Sequence, residues 1–515
     1  MQDNQAQAVV EKILHMHPGV REAAAVHDGH DGFVAFVVPD ELLMDGISVR
    51  GTAGSTLLGK WQKTFDLSQL SKEAASAPVG FNTIGWNSSY TRQPIPAEEI
   101  KEWVENTVED ILLLSPTSVY EIGCGTGMLL MRIAPHCDRY VAVDFSPVVL
   151  SRLREQLRTV PSIAERVETM ERRADNFDGL GENAFDTVVI NSVAQYFPSV
   201  TYLTKVLENA IHIVRPGGHV YVGDVRNLPL LRAFAASIEL FQSEDEIKAG
   251  ELRDRIRRRV EREQELVLSP AYFLSLRQQI PKLSRVDIRP LRGRADNEMS
   301  RYRYEAILHV GQDAEASCED EFLDWTERSY SLKEIRSILG ENPNKRIGIK
   351  RIQNARIEKD LAALAVLRDA DAELTVGGLR HGFEETSSKG IHPQDILDLE
   401  FQGLGFSVVL SWAACSPDGN YDACFVPAVL QQGVAMPAIN WPEPEASEFV
   451  CTANAPGQGR LRKELIDHLA AHCSQNLPLE MVPRNFMLVD KLALTPGGEV
   501  DSRALLAARN ASCWP

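Results

Sequence analysis

The chain has 515 residues, 44% hydrophobic and 24% charged, with a formal net charge of −18 at pH 7. That length exceeds what one hydrophobic core serves, so two or three domains are expected. The acidic balance excludes nonspecific nucleic-acid binding through bulk charge, no apolar run is long enough to span a bilayer, and Met1-Gln2-Asp3-Asn4-Gln5 lacks the basic and apolar regions of a secretory signal.

Residues 7–39 read as a helix (Ala8 to Met16, ended by His17-Pro18-Gly19) and two strands, Val20 to Val26 and Phe33 to Val38, joined by the Asp28 to Gly32 turn. This piece is too small to bury a core alone. Residues 40–100 are less regular, with a polar, aromatic loop from Gly80 to Tyr90. Pro94, Pro96 and Glu98-Glu99 then open a long helix, Ile100 to Leu114. From Ser118 to about Val225 strands alternate with helices. Val119–Ile122, Tyr140–Val143, Phe185–Ile190 and Val220–Val222 are strand-like; Leu129–Ala134, Pro147–Gln156 and Tyr202–Val214 are helix-like. Short buried strands between helices imply a parallel sheet, hence an α/β fold.

Val119-Tyr120-Glu121-Ile122-Gly123-Cys124-Gly125-Thr126-Gly127 is the most informative stretch. A strand runs into an acid, then into glycines at every second position. Asp144 ends the next strand, seventeen residues beyond Gly127. Strand, glycine turn, helix, strand and terminal acid make half of a nucleotide-binding fold, with the acid placed to accept hydrogen bonds from a ribose diol. A dinucleotide site uses G-x-G-x-x-G facing a pyrophosphate. Here the spacing is G-x-G-x-G and Glu121 precedes it, which repels a diphosphate and suits a cation. The loop therefore reads as a site for S-adenosylmethionine (SAM), with an ordinary glycine turn as the plainer alternative. Cys124 reads as a packing residue. The eight cysteines show neither a C-x-x-C pair nor a metal spacing, so no metal is expected and reduced thiols in a cytoplasmic protein are.

Asp175-Asn176-Phe177 is expected to end a third strand, with Asp175 on an adenine amino group and Phe177 beside the ring; the alternative is a helix-capping aspartate. Phe185–Pro198 is a buried strand with a polar end, and Arg215-Pro216-Gly217-Gly218-His219 turns into a strand ending at Asp224. Side chains at the C-terminal ends of parallel strands face the ligand crevice. Asn191, Gln195, Tyr196 and Asp224 are thus candidates to orient a methyl acceptor or take its proton; Tyr196 could equally be a packed aromatic. Arg253 to Arg262 is a basic cluster interleaved with Asp254 and Glu261, read as a solvated helix face. Tyr302–Val310 is a strand, and residues 315–430 continue the α/β character. Gln431 to Gly459 reads as a linker and residues 460–508 as a compact segment.

Residues 80–310 resemble the N-methyltransferase domains embedded in nonribosomal peptide synthetases. The stretches that carry this are GWNSSYTRQPIP (85–96), VYEIGCGTG (119–127), DTVVINSVAQYFPS (186–199), GGHVYVGDVRNLPLLRAF (217–234) and MSRYRYEAILHV (299–310), followed by KRIGIKRIQNARI (345–357) and Gly390–Trp412. HPGVREAAAV (17–26), FVAFVVP (33–39) and residues 477–506 resemble the start and end of the small C-terminal subdomain of an adenylation domain. The resemblance implies a Rossmann-like SAM-dependent methyltransferase inserted into an α+β remnant of that subdomain. The implied divisions are 1–45, 46–430, a linker at 431–459, and 460–515, the outer pieces packing together. The large adenylation subdomain has no counterpart, and Glu499 stands where that family has a catalytic lysine. A carboxylate there cannot stabilise developing negative charge, so no adenylation activity is expected.

The resemblance further implies methylation of the α-amine of an aminoacyl or peptidyl thioester. Its partners would be a carrier protein with its phosphopantetheine arm and other synthetase modules, met in trans, with no nucleic acid and no membrane. Glu121, Gly123, Gly125, Gly127 and Asp144 would hold SAM, Asp175 and Phe177 its adenine. Tyr90 would close over the methionine end, Trp86 and Asn87 would shape a lid, and the Arg253–Arg262 cluster would be a weak docking face. The alternatives are O- or C-methylation of a carrier-bound or free small molecule, and a non-catalytic synthetase scaffold.

Overall fold

The computed structural model describes residues 2–27, 32–40, 53–71, 77–311, 321–384, 389–414, 416–430, 438–442, 452–456, 458–489, 492–493 and 500–505. Most of the Asp28 to Gly32 turn, much of 431–459, and Gly497-Gly498-Glu499 lie outside them. The strands are β1 (Val20–His27), β2 (Phe33–Pro39), β3 (Ser118–Ile122), β4 (Arg139–Asp144), β5 (Val167–Glu171), β6 (Phe185–Asn191), β7 (Val214–Arg226), β8 (Leu283–Pro290), β9 (Arg303–Val310), β10 (Glu321–Asp324), β11 (Ile347–Ile352), β12 (Phe406–Ser411), β13 (Tyr421–Pro427) and β14 (Asn485–Leu488). The chain resolves into two units, residues 1–60, 257–264 and 455–515, and residues 61–256 and 265–454.

In the smaller unit, strands from opposite ends of the chain share one sheet. β1 pairs antiparallel with β2, and β14 lies parallel to β2 in the register Phe486↔Ala35. β2 is apolar throughout because both its faces are covered. Phe33, Ala35 and Val37 meet Val10 and Leu14 of the helix Gln2–His15 and Leu469 and Cys473 of the helix Gln458–Asn476. Val34 and Phe36 turn to the other face with Val26 and Leu505.

The larger unit is built on a seven-stranded Rossmann-like sheet ordered β5-β4-β3-β6-β7-β9-β8. β3 to β7 run parallel, and β9 is antiparallel to β7 and to β8. The chain leaves β3 toward β4 and β5, then returns on the other side as β6. β3 and β6 therefore flank the topological switch point, where crevices form at the strands' C-terminal ends. One face carries Tyr120, Ile122, Val141, Val188 and the helix Val200–Ile213. The other carries Val119, Tyr140, Val189 and the helix Ala97–Leu112 through Ile100, Trp103 and Ile111. The sheet β10-β11-β13-β12 shares the first of these cores through Ile349, Val408 and Phe425, so residues 321–430 extend the same unit.

Several elements differ from the sequence expectation. Leu129–Ala134 forms only one α turn, Leu130–Ile133, tightening to a 3-10 turn at Ala134–His136, because Pro135 offers no N–H to continue the ladder. β5 ends at Glu171, so Asp175 to Phe177 lie in the turn beyond it. The Arg215–His219 turn is absorbed into β7 as a register shift, with Gly217 at φ +84°. A helix, Ala53–Gln69, occupies part of the stretch expected to be irregular. Within 431–459, the described residues up to Asn454 belong to the larger unit: Asn454 accepts from the Val267 N–H at 2.7 Å, and Arg346 donates to the Ala438 carbonyl at 3.1 Å.

Candidate active site

The glycine loop leaves β3 at the switch point, and its backbone folds back on β4. The Gly123 and Cys124 N–H groups both donate to the Val143 carbonyl, at 2.7 and 3.1 Å. Gly123, Gly125 and Gly127 all have positive φ, +74°, +50° and +79°. Two of them serve packing: a Cβ at Gly123 would lie 2.4 Å from Val193, and one at Gly127 would lie 2.6 Å from Leu153. Only Gly125 faces space: a Cβ there would meet just the Phe65 ring, at 3.9 Å. The bare backbone available to a ligand is therefore at Gly125.

Asp144 is 3% exposed and accepts from the Gly125 N–H at 3.0 Å and the Ser146 N–H at 2.9 Å, one on each oxygen. Each oxygen keeps a lone pair for a diol. Burial raises its pKa, against those backbone bonds. Glu121, also 3% exposed, accepts from the Tyr140 hydroxyl at 2.9 Å. Burial pushes its pKa up to about 7; the Tyr140 bond opposes the rise and the nearby Asp144 charge adds to it. Among the described residues neither carboxylate has a cationic partner. Two buried carboxylates without a counter-ion fit a ligand that carries a cation and a ribose. Cys124 is buried with its thiol pKa raised by that burial, which leaves it a packing residue.

A helix lies over the loop as a lid. In the helix Ala53–Gln69, Gln62 donates to the Phe145 carbonyl at 3.0 Å, Asp66 accepts from the Ser146 hydroxyl, Phe65 faces Gly125, and the Trp61 ring lies 4.8 Å from that of Tyr196. Tyr90 is elsewhere: its hydroxyl is 2.9 Å from Ser237 Oγ, and its ring meets Phe234 and Phe241 edge-on. Trp86 stacks on Trp103 of the helix Ala97–Leu112, and Asn87 bridges Pro94. Trp61 and Phe65 have the i, i+4 spacing of one helix face.

On the other side of the switch point, β6 delivers Asn191 and β7 delivers Asp224. Ser192, just past β6, and Asp224, at a register shift in β7, both adopt left-handed backbone, φ +56° and +60°. Such conformations are costly for non-glycine residues and cluster where function demands them. The Ser192 hydroxyl and the Arg303 guanidinium both donate to Asp224 Oδ2 at 2.6 Å. Burial raises the Asp224 pKa, held back by Arg303 and Ser192. Asn191 Oδ1, Gln195 Oε1, Asp224 Oδ1 and Asn227 Oδ1 are buried acceptors without a donor. Unpaired buried acceptors are expensive, and each requires an explanation. Val193, between Asn191 and Gln195, is the residue packed against Gly123, so this cluster abuts the glycine loop. The Tyr196 hydroxyl is pushed up to about 12 by burial, with the Glu265 charge adding, so it stays protonated at neutral pH.

The adenine-side candidates are placed less directly. Asp175 pairs with Arg173 at 3.2 Å, and Phe177 leans on Tyr120 at 5.9 Å between ring centres. The basic cluster is largely committed. Arg253 donates to the Leu367 and Ala370 carbonyls at a helix C-terminus, and Arg255 and Arg257 pair with Glu251 and Glu261. Ser192, Arg303, Asn227, Trp61 and Phe65 lie at the candidate site without a local sequence pattern that singles them out.

Residues 120–220, which hold the loop, Asp144 and the Asn191–Tyr196 segment, match the family described as a methyltransferase domain. The chain carries a methyltransferase domain. Over nearly its whole length it is also homologous to segments of nonribosomal peptide synthetases. It is 36% identical over 516 residues to chondramide synthase cmdD of Chondromyces crocatus, covering 97% of this chain and 13% of that one. It is 28% identical over 520 residues to the nonribosomal peptide synthetase agiA of Aspergillus flavus, covering 96% and 7%. The chain thus spans a small part of the length of these relatives. Among solved structures, the N-methyltransferase NodS from Bradyrhizobium japonicum WM9 aligns at 15% identity with a TM-score of 0.31, covering 49% of this chain and 98% of that one, a likeness too distant to bear on function. Among the described residues, no helix is long and apolar enough to cross a membrane, and no group of three His, Cys, Asp or Glu side chains could hold a metal.

Proposed function

We propose that the chain is a SAM-dependent N-methyltransferase of nonribosomal peptide assembly, acting on the α-amine of an aminoacyl or peptidyl thioester on a carrier protein. One observation carries the reading. Three unpaired buried acceptors, Asn191 Oδ1, Gln195 Oε1 and Asp224 Oδ1, belong to the segment whose Val193 packs on Gly123 or, for Asp224, bond to it through Ser192. A hydroxyl brings one proton and a carbon acceptor none to share, whereas an ammonium brings three donors for these three oxygens.

When bound, SAM supplies a methyl group whose bond to sulfur breaks as the bond to nitrogen forms, leaving a neutral thioether. The protein's part is positioning. Glu121 balances the cation, Asp144 accepts from the ribose hydroxyls, and Gly125 admits the ligand against bare backbone. Asn191 and Gln195 orient the acceptor nitrogen, and Asp224 takes the proton it loses before its lone pair can attack. Arg303 and Ser192 hold Asp224 in place through its other oxygen. The lid helix excludes water from the loop.

In the same reading the smaller unit is what remains of an adenylation C-terminal subdomain, supported by the pairing of β2 with β14 and by the resemblance of both flanks. It has no adenylation activity, and the protein works in the cytoplasm beside other synthetase modules. Incubation with methyl-labelled SAM tests the function. Label on an aminoacyl carrier and not on the free amino acid supports it. Label on the free compound alone, or on neither, contradicts it.

A further inference from the structure

Arg303, the partner of Asp224, is the first residue of β9, and the short helix Glu298–Tyr302 runs into it without a gap. Five residues make little more than one turn, too few to hold a helical conformation unaided. Where Arg303 stands therefore depends on what grips that turn. Asn297 caps its N-terminal end, the side chain accepting from the Met299 and Ser300 N–H groups at 3.0 and 3.2 Å. Further grips come from the part of the larger unit that lies beyond β9.

Arg356, just before the helix Glu358–Asp369, and Asp360, in its first turn, reach the three residues that precede Arg303. Arg356 is buried, and its guanidinium donates to the carbonyls of Leu291 at 2.6 Å, Gly293 at 2.6 Å and Ser300 at 3.0 Å. A rigid planar fork of donors suits such a threefold grip, and a buried cation that lost those carbonyls would be costly. Asp360 accepts from the Tyr302 hydroxyl and pairs with Arg301 at 3.3 Å. Ser300, Arg301 and Tyr302 are thus each held from residues 321–430. Arg303 follows them directly, with its Nη1 2.6 Å from Asp224 Oδ2.

We propose that Arg356 and Asp360 are positioning residues for methyl transfer: by fixing Ser300 to Tyr302 they set Arg303 against Asp224, so that residues 321–430 brace the carboxylate that takes the acceptor's proton. The proposal rests on the role given to Asp224 above. The charged and titratable groups that face Asp224 include Arg303, Arg226 and the Tyr196 hydroxyl, with Glu265 and Glu298 acting on Arg303. A brace and a bare electrostatic effect have opposite signs. Removing the Asp360 carboxylate takes away a negative charge, which by itself lowers the pKa of another carboxyl. Loosening Arg303 weakens the restraint on a pKa that burial raises, so that pKa goes up.

The test is the kcat–pH profile of the full chain on a carrier protein charged with an amino acid that the wild type methylates. Asp360→Ala should move the acidic limb up by about half a pH unit or more, the direction expected of Arg303→Met, with SAM affinity by calorimetry unchanged. Arg356→Lys keeps the charge but not the fork, and should move the limb the same way. Tyr302→Phe removes the bond to Asp360 with the ring kept, and serves if the other variants do not fold. In the Arg303→Met background these substitutions should add less than about 0.2 of a unit, because the group they act through is gone. A limb that stays in place or moves down, or shifts that add in the double variants, overturns the brace and leaves the methyltransferase reading standing. A limb that Arg303→Met itself does not move removes the role of Asp224, and the brace with it. Absence of transfer to a carrier charged with any common amino acid, with SAM still bound, overturns the methyltransferase reading and the brace together.

Discussion

The Tyr140 hydroxyl donates to the Glu121 carboxylate at 2.9 Å, on neighbouring strands beneath the glycine loop. The bond restrains Glu121 without neutralising it, and Asp144 stands close enough to push the same way as burial. In the proposed function the pair is the seat for the ligand's cation.

SAM binding should therefore depend on pH. A cation favours ionised Glu121, whose pKa in the free protein is about 7. Calorimetry should find affinity about tenfold weaker at pH 6 than at pH 8, levelling above that. Glu121→Gln should abolish the slope, and Tyr140→Phe should move its inflection upward.

The same shift governs the stability of the free protein. The folded state holds the Glu121 proton more tightly than the unfolded state does, so stability is highest below the ordinary carboxylate range. It falls as pH rises through about 7. Glu121→Gln should thus raise the melting temperature at pH 8 and change it little at pH 4; an equal shift at both would contradict the assignment.

Asp224→Asn should lower kcat by about 10²- to 10⁴-fold, the usual worth of a general base, with SAM affinity retained. Arg303→Met removes the cation that pairs directly with Asp224. The acidic limb of the kcat–pH profile should move to higher pH, because Arg303 now restrains the pKa that burial raises.

The glycines should separate by their surroundings. Gly123→Ala meets Val193 at 2.4 Å and should lower the melting temperature, with partial recovery on adding Val193→Ala. Gly125→Ala meets only Phe65, at 3.9 Å, and should fold while losing SAM affinity. Phe65→Ala should also weaken SAM binding, by about tenfold, through loss of an aromatic cover.

What the sequence made legible was local. Glu121, the three glycines and Asp144 lie within one strand–turn–helix–strand unit, whose spacing fixes their relation. The placement of Asn191 and Asp224 followed from the rule that parallel strands present their C-terminal ends to a crevice. The rest depended on tertiary choices. Asp224 bonds to Ser192 through paired left-handed conformations, and no local pattern announces left-handed backbone at a serine and an aspartate. Arg303 reaches Asp224 from an antiparallel strand far along the chain. Phe65 looked like part of an irregular stretch because its partner, Gly125, is brought to it only by folding. The partners of Tyr90, Ser237, Phe234 and Phe241, were illegible for the same reason: they lie on the helix Leu231–Gln242, far along the chain.

Tandem mass spectrometry of a carrier-bound aminoacyl group, after reaction with SAM and this protein, tests the central claim most directly. The account predicts one added methyl group on the α-nitrogen. A methyl group on oxygen or carbon, or an unmodified aminoacyl group despite bound SAM, would contradict it.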